Sequence, residues 1–226
     1  MNKPAKILAI SLWSCCLIAI VGVATVLLLA HDRRENAALA IVPISTPSDG
    51  VPPPTFSAPD FSLTDQLGRT VTTASLRGHP FIVSFIFTTC AADCPLVSLR
   101  FSQLQSRIPK EVRFISITVD PDYDKPAVLL KYAEQYHADN DRWRFLTGPR
   151  DQVFAAIHGL KVAMERTGPN QIQHDLHYNL YDSEGRFRWQ YSSKSPAEID
   201  QLVKDVKALL AEEKGQGAVA ASGDGG

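Results

Sequence analysis

The sequence of 226 residues lacks an excess of basic side chains, since 23 Lys and Arg stand against 24 Asp and Glu. A basic footprint is the first requirement for binding a phosphate backbone, so this balance excludes a nucleic-acid binder. The sequence also lacks a C-x-x-C pair, because three residues separate Cys90 from Cys94. A peroxidase T-x-x-C motif is absent as well, since Phe87 stands where that motif has Thr. The two commonest thiol-enzyme patterns are therefore missing.

Charge is also absent from residues 7–30. As a helix that rises 1.5 Å per residue, this stretch spans about 36 Å, which exceeds the bilayer hydrocarbon core of about 30 Å. A cleavable secretory signal is the alternative, since Lys3 and Lys6 precede the stretch and residues 38–40 read Ala-Leu-Ala. The apolar region is longer than that of a signal, which favours an uncleaved transmembrane anchor. We expect a cytoplasmic N-terminus at 1–6 and a domain on the extracytoplasmic, periplasmic side.

The remainder divides into a linker, one domain and a tail. Residues 31–57 include a Pro-rich stretch that favours an extended spacer. Residues 58–213 are long enough for one ordinary domain with a hydrophobic core. The segment 214–226 is rich in Gly and Ala without periodicity, and we expect it to be disordered.

The domain alternates strand and helix signals. Two continuous apolar runs predict strands that are buried on both faces, and apolar residues at helical spacing follow three prolines that fit the first turn of a helix. The runs cover 81–87 and 112–119, and the helices begin at Pro95, Pro126 and Pro196.

A hairpin and a capped helix complete the domain. The turn at 183–185 joins two short strands, and alternation predicts Phe187, Trp189 and Tyr191 on one face. The last helix is predicted to begin with a capping box of Ser195 and Glu198. This order of elements predicts an α/β, thioredoxin-like fold with a central mixed sheet and flanking helices, following an N-terminal transmembrane helix.

The cysteine pair lies where α/β proteins place their sites. Cys90 follows a buried strand and Cys94 precedes a helix, and the carboxyl ends of strands line such sites. The helix start favours the thiolate form of a cysteine. A structural disulfide closing so short a loop adds little stability, which leaves disulfide exchange or metal binding. Two thiolates form a soft site that prefers Cu(I), and a histidine is the expected third ligand.

Six histidines are candidates for that ligand. His31, His79, His137 and His158 fit surface, turn or helix-end positions. His174 and His177 lead a predicted strand, where they would point to opposite faces. Position 174 shares its parity with the apolar positions Leu176 and Leu180, which favours His174 as the inward residue.

Five ordered motifs resemble those of the Sco/SenC family, which consists of membrane-tethered copper chaperones for cytochrome c oxidase assembly. The resemblance covers about residues 58–210 and implies a copper site of Cys90, Cys94 and His174. Asp175 and His177 are alternative contributors to that site. The motifs are PDFSLTDQLGRTV, FIFTTCAADCP, ISITVDPDYDKP, FLTG and a histidine eleven residues before Gly185.

The resemblance also implies a function and partners. It predicts a metallochaperone that delivers copper, as Cu(I) or Cu(II), to cytochrome c oxidase subunit II or another copper acceptor. A thioredoxin-like reductant would keep the cysteines reduced. The alternatives are a membrane-anchored thiol-disulfide oxidoreductase without copper, which would give the chain reductase activity, and a sensor of copper or redox state.

The chain departs from the family pattern at three positions. Ala91 follows the first cysteine where Pro is frequent, and Asp175 follows the histidine where Ser or Thr is usual. Lys125 precedes the turn proline where Thr is common.

Overall fold

The computed structural model describes residues 22–23, 56–90, 94–160, 164–168, 171–174 and 176–222. Side chains are described within 22–23, 56–90, 94–160 and 176–216. Of the predicted anchor, the described residues are Gly22 and Val23, which are helical and exposed, and the chain divides into a unit 1–41 and a unit 42–226. None of the helices in the described ranges is both long and apolar enough to cross a membrane. The linker up to residue 55, His31, Ala91 and Asp175 lie outside these ranges.

The second unit contains nine labelled strands and five labelled helices in its described residues. In chain order they are β1 (Ser62–Thr64), β2 (Thr70–Thr72), α1 (Thr73–Leu76), β3 (Phe81–Ile86), α2 (Cys94–Arg107), β4 (Arg113–Thr118), α3 (Pro126–Gln135), β5 (Trp143–Leu146), α4 (Arg150–Gly159), β6 (Met164–Gly168), β7 (Gln171–His174), β8 (His177–Tyr181), β9 (Phe187–Ser192) and α5 (Pro196–Ser222).

Five strands form the central sheet in the order β5-β4-β3-β8-β9. The neighbours β3, β4 and β5 are parallel, whereas β8 runs antiparallel to β3 and β9 antiparallel to β8. The pairs β1–β2 and β6–β7 are separate antiparallel hairpins. The sheet is therefore mixed, as the sequence predicts.

Helices cover both faces of this sheet. Ile82 and Ile86 of β3 belong to one apolar cluster, which also contains residues of α2, α3 and α5. Phe81, Val83 and Phe85 belong to a second cluster, with residues of α1, α4 and the β1–β2 hairpin. We call these the α2 face and the α4 face. All six residues of β3 are buried, which confirms the prediction of a strand covered on both sides.

The predicted alternation in β9 is wrong at Phe187. Trp189 pairs with Leu180 and Phe187 pairs with Tyr181, so one strand has an extra residue at this point. Phe187 accordingly joins the α4 face, whereas Tyr191 belongs to the α2 face and Trp189 packs against it. A β-bulge shifts the two-residue period by one, and every residue beyond it changes face.

Two loops of the pattern D-x-x-G-R close the hairpins β1–β2 and β8–β9. In loop 65–69 the carboxylate of Asp65 accepts bonds from two backbone N–H groups and from Arg69 Nε at 2.8 Å. Loop 182–186 repeats this arrangement with Asp182 and Arg186. Gly68 and Gly185 have φ of 77° and 78°, in the left-handed region that residues with a side chain rarely adopt.

The helix α5 begins at Pro196, as predicted. Ser195 Oγ accepts a bond from Glu198 N at 3.3 Å, which is one half of the predicted capping box. The Glu198 carboxylate bonds Ser192 N at 2.7 Å rather than the backbone of Ser195. The helix continues to Ser222, past residue 213 where the sequence predicts that the domain ends.

The buried guanidinium of Arg142 caps the carboxyl end of α2. It donates to the backbone carbonyls of Gln105, Ile108, Pro109 and Val112 at distances of 2.6 to 3.0 Å. These carbonyls lie at the end of the helix and in the connection to β4, where no N–H group of the helix is available to bond them. Burial lowers the pKa of Arg142 from its ordinary value. Arg142 thus fixes α2, whose first residue is Cys94, against the sheet.

Replacing Arg142 with Met keeps a long apolar stem and removes every donor. We expect the free energy of unfolding to fall by about 3 kcal/mol, because several buried carbonyls lose their partners. Urea denaturation followed by tryptophan fluorescence measures this loss. The matched control is Arg107→Met, which removes one exposed ion pair to Asp200 and should cost less than about 1 kcal/mol. Equal losses in the two variants would contradict the capping role.

Candidate metal centre

Cys90 lies in a tight turn directly after β3. Its backbone N–H donates to the carbonyl of Phe87 at 3.2 Å, which reverses the chain at the carboxyl edge of the sheet. The side chain is half-buried and packs against the apolar cluster of the α4 face. One thiol of the predicted pair is therefore partly accessible at this edge.

Cys94 is the first residue of α2 and its side chain is only 1% exposed. It belongs to the same cluster against which Cys90 packs. Both residues are present as thiols, and residues 91–93 between them lie outside the described ranges. The structure thus places one buried and one half-buried thiol on a single apolar cluster.

The carboxylate of Asp124 ties the Cys90 turn to the end of β4. It accepts bonds from Thr88 N at 3.2 Å, from the hydroxyl of Thr88, and from Thr118 Oγ1 at 2.5 Å. Asp124 is fully buried. Burial raises its pKa above the ordinary value, although the bonds from Thr118 and Thr88 oppose that rise. The loop that carries Cys90 is therefore held by a buried acid.

The role of Asp124 is one that sequence reasoning missed. Its motif ISITVDPDYDKP contributes to the family resemblance, but the motif by itself predicts no structural role for this aspartate. A usable signal exists, because Cys90 and Asp124 both follow adjacent parallel strands, whose carboxyl ends meet at one edge. An acidic residue predicted at that edge is a candidate for organising the cysteine loop.

Lys125, which stands where the family commonly has Thr, bonds the backbone of the turn at 120–125 through its side chain. Its Nζ donates to the carbonyl of Pro121 at 2.8 Å, while its backbone precedes α3 without a side-chain cap. Asp124 N bonds Asp120 O at 2.9 Å within the same turn. The departure from Thr at this position is thus accommodated without loss of the turn that presents Asp124.

A buried hydroxyl pair lies near Cys94. Ser98 Oγ and Tyr132 Oη are 2.8 Å apart, and both side chains are buried. Burial raises the pKa of Tyr132, the bond with Ser98 opposes the rise, and Tyr136 and Cys94 add smaller upward shifts. Tyr132 therefore keeps its proton, so a neutral polar group adjoins the buried thiol.

His177 begins β8, opposite Ser192 of β9. Because β8 pairs antiparallel with β3, its first residues lie toward the carboxyl end of β3, where Cys90 follows. Burial lowers the pKa of His177, and the charge of Glu198 partly opposes this. The side chain of His177 is half-buried.

His174 ends β7, and its backbone pairs with Met164 of β6. The parity argument for this residue is wrong in its premise, because His174 and His177 lie on different strands of different sheets. The side chain of His174 lies outside the described set. Within that set, no group of three or more His, Cys, Asp and Glu side chains is arranged to hold a metal ion.

The other described histidines occupy the positions expected of them. His137 follows α3 with φ of 51°, the left-handed conformation common after a helix end. His158 lies in the last turn of α4. His79 lies in the turn before β3, with Nε2 3.4 Å from a guanidinium nitrogen of Arg113.

Comparison with known proteins decides the family. The family model described as SCO1/SenC matches residues 51–211, which is most of the chain. The chain belongs to the SCO1/SenC family. The predicted Sco/SenC resemblance is therefore confirmed over the whole domain that contains the cysteine pair.

Individual SCO1/SenC relatives agree in sequence and fold. The SCO1 protein homolog of Bacillus subtilis is 31% identical over 162 residues, covering 69% of this chain and 84% of the relative. The structure of Bradyrhizobium japonicum ScoI with copper bound is 27% identical with a TM-score of 0.60, covering 68% of this chain and 99% of that one. BsSco, described with a disulfide switch as a member of the Sco family of cytochrome c oxidase assembly proteins, is 29% identical with a TM-score of 0.63, covering 71% and 97%.

The raised pKa of Asp124 predicts a pH dependence at the SCO1/SenC cysteine loop. Above the unfolded-state value of about 3.9, the unfolded chain ionises this carboxyl before the folded chain does. The stability of the wild type relative to Asp124→Asn should therefore fall as pH rises from about 4 through the raised pKa. Urea denaturation of both proteins across this range measures the difference, and a difference that grows with pH would contradict the assignment.

Proposed function

We propose that this SCO1/SenC protein binds copper through Cys90, Cys94 and His174 and delivers it to a copper acceptor. The placement of both cysteines on one apolar cluster, at the carboxyl edge of the sheet, carries the proposal. Membership of a family that includes a copper-bound structure supplies the metal. The acceptor is the binuclear copper site of cytochrome c oxidase subunit II, by the role in oxidase assembly described for BsSco.

The donor set suits copper as cargo. Thiolate sulfur is a soft ligand that favours Cu(I), and neutral imidazole completes a site that excludes hard ions such as Mg²⁺. The half-buried Cys90 gives an incoming acceptor access to one sulfur, while the buried Cys94 retains the second. Stepwise exchange of ligands is then possible, beginning at the accessible thiolate.

Oxidation of the pair provides a switch for copper loading. Forming a disulfide between Cys90 and Cys94 releases two electrons and two protons to an external disulfide, and it removes both thiolates. A thioredoxin-like reductant supplies two electrons to regenerate the copper-binding form. Copper affinity depends on deprotonated thiols, so the redox state of the pair controls whether the protein can carry its cargo.

His174 rather than His177 is proposed as the third ligand. The ring of His177 is half-buried and has Glu198 as a charged neighbour, which suits a structural residue at the start of β8. The position of His174, eleven residues before Gly185, matches that of the family histidine. Asp175, next to His174, is a further candidate contributor.

An anchor at residues 7–30 would confine the domain to the extracytoplasmic, periplasmic membrane surface. Confinement raises the effective concentration of a donor relative to a membrane-bound acceptor. A site on a tethered domain therefore needs less affinity for its acceptor than a freely diffusing carrier would need.

Thiol-disulfide exchange without copper is the second candidate function. The unequal exposure of Cys90 and Cys94 favours it, because an accessible thiol can attack a partner disulfide and a buried neighbour can resolve the mixed disulfide. In that case the protein would act as a reductase toward the cysteines of its partner, and His174 would be dispensable.

Copper titration of the reduced full-length protein in detergent micelles separates the two functions. We expect stoichiometric binding by the wild type and a loss of at least about 100-fold in affinity in Cys90→Ser and Cys94→Ser, because one of two thiolates disappears. His174→Ala should lose about tenfold or more, whereas His177→Ala should bind nearly as the wild type does. Competition with a chromogenic Cu(I) chelator measures these affinities.

Two comparisons make the titration decisive. The wild type oxidised to the disulfide should bind no copper, and reduction should restore binding. Disulfide exchange should survive in His174→Ala if that residue serves only the metal. Absence of copper uptake by the reduced wild type would rule out the chaperone function and leave the reductase.

Delivery to a protein acceptor also predicts a role for the exposed apolar residues on the first turns of α2, the helix that begins at Cys94. Leu96 and Leu99 are 42% and 49% exposed and lie on the solvent side of this helix, where an acceptor could contact them. We expect Leu96→Glu with Leu99→Glu to slow copper transfer to the acceptor about tenfold, since apolar contact is lost. Stopped-flow measurement of transfer to a soluble acceptor domain provides the rate.

The control for this pair of substitutions is Leu67→Glu. Leu67 is 44% exposed, but its loop bonds the amino end of β5, away from the cysteine edge. This variant should transfer copper at the wild-type rate. Copper affinity should be unchanged in all three proteins, and a parallel loss of affinity would show that the leucines act on the site rather than on docking.

A further inference from the structure

A cationic cavity lies at the opposite edge of the sheet from the cysteines. It has a volume of about 280 Å³, close to the lower limit for small-molecule sites. Three guanidinium groups and one imidazole line it, from Arg69, Arg113, Arg144 and His79. Four cationic or titratable side chains around one small cavity are not required by copper chemistry.

The strand register explains why these side chains converge. Ile115 of β4 pairs with Arg144 of β5, so their side chains share the α4 face. Arg113 lies two residues before Ile115 and points to the same side. Arg113 also pairs with Phe81 of β3, two residues after His79. The groups therefore meet at the amino ends of β3, β4 and β5.

Two of the guanidinium groups are anchored by a buried carboxylate. Asp65 is fully buried and bonds Arg69 Nε at 2.8 Å and Arg144 Nη1 at 2.7 Å. Within the described ranges, Arg144 Nε and Nη2 have no hydrogen-bond partner. A guanidinium has five N–H donors, so Arg144 is held in place and retains donors for a ligand.

Arg113 carries the uncompensated charge of the cavity. It has no carboxylate oxygen within 4 Å among the described side chains. Its guanidinium makes two long polar contacts with described residues, at 3.4 Å from Nη2 to His79 Nε2 and 3.4 Å from Nη1 to the carbonyl of Asp141. The one carboxylate in the cavity wall, that of Asp141, is 93% exposed and lies 3.9 Å from Arg69.

We propose that this cavity binds the phosphate group of a small phosphate monoester or of inorganic phosphate. A planar carboxylate is satisfied by one guanidinium fork, whereas a tetrahedral dianion presents three or four oxygens to several donors. The hydroxyl-bearing Thr70 and Ser75 also line the cavity, which suits an oxygen-rich group. The apolar lining from Val71, Leu76 and Ile115 leaves room for a short organic substituent.

The proposed anion site is separate from the copper edge. Arg113 begins β4, and Thr118 at the other end of the strand bonds Asp124 beside the cysteine turn. Five residue steps of about 3.3 Å place the two ends about 16 Å apart. Anion binding is therefore testable without touching the copper ligands.

Calorimetric titration of sodium phosphate into the full-length protein, in detergent micelles and a buffer free of oxyanions, tests the proposal. We expect saturable binding with one site per chain. Arg113→Gln should weaken it at least about tenfold, because a charge-assisted pair is lost. Arg113→Lys should weaken it less, since the charge stays while the fork disappears.

The matched control is Arg77→Gln, which removes the same charge from an exposed residue near the cavity but outside its lining. It should change affinity by less than about twofold. Absence of saturable binding by the wild type, an equal loss in Arg77→Gln, or equally tight binding of acetate would overturn the proposal. Thermal melts of each variant confirm that the comparison is made between folded proteins.

Two further ligands identify the source of the phosphate group. Glycerol 3-phosphate represents a free ester, and short-chain phosphatidic acid represents a lipid headgroup. Tighter, Arg113-dependent binding of the lipid would assign the site to a membrane headgroup. Equal binding would assign it to the free ester, and both results retain the phosphate class.

Discussion

The buried carboxylate of Asp124 is the contact on which the geometry of the cysteine edge depends. It joins the turn after β3, through Thr88, to the end of β4, through Thr118. Cys90 is two residues beyond Thr88, so its position follows from this bond rather than from the sheet alone. Burying an acid disfavours its ionised form, so the pKa of Asp124 is raised despite its bonds to the two threonines.

The two cysteines are held in different ways. Cys94 is fixed by α2, whose far end is capped by Arg142 and whose apolar side is packed in the core. Cys90 belongs to a turn that Asp124 restrains and that remains half-buried. A pair with one fixed and one accessible sulfur suits the transfer of an ion between proteins, since ligand exchange needs an entry point and a retained ligand. The same difference in exposure suits disulfide exchange, the second proposed function.

Much of the fold could be predicted because its central strands are buried on both faces. Such strands are continuous apolar runs, and the helices beside them begin at prolines and repeat apolar residues at helical spacing. The short strands β1, β2 and β5, with three or four residues each, are too brief to show a period. The bulge in β9 and the break between β7 and β8 depend on pairing with distant segments, which a local pattern does not contain. For the same reason, parity along a single strand does not apply to His174 and His177, which lie on β7 and β8.

Some features of the site likewise follow from local sequence, whereas others depend on contacts between distant segments. The location of Cys90 and Cys94 follows from the end of one apolar run and the start of a helix, both of which are local features. The bonds of Asp124 cross 36 residues to Thr88, and the arginines of the cationic cavity come from three separate strands or loops. These contacts form only when the register of the parallel strands brings residues that are distant in the sequence to the same edge of the sheet. Sequence patterns predict which residues reach an edge, whereas register decides which of them meet.

X-ray absorption spectroscopy of the copper-loaded, reduced protein tests the central claim most directly. The account predicts two sulfur ligands and one imidazole nitrogen around Cu(I). The imidazole signal should be lost in His174→Ala and retained in His177→Ala. A copper ion that keeps its imidazole in His174→Ala, or that has fewer than two sulfur ligands in the wild type, would contradict the proposed centre.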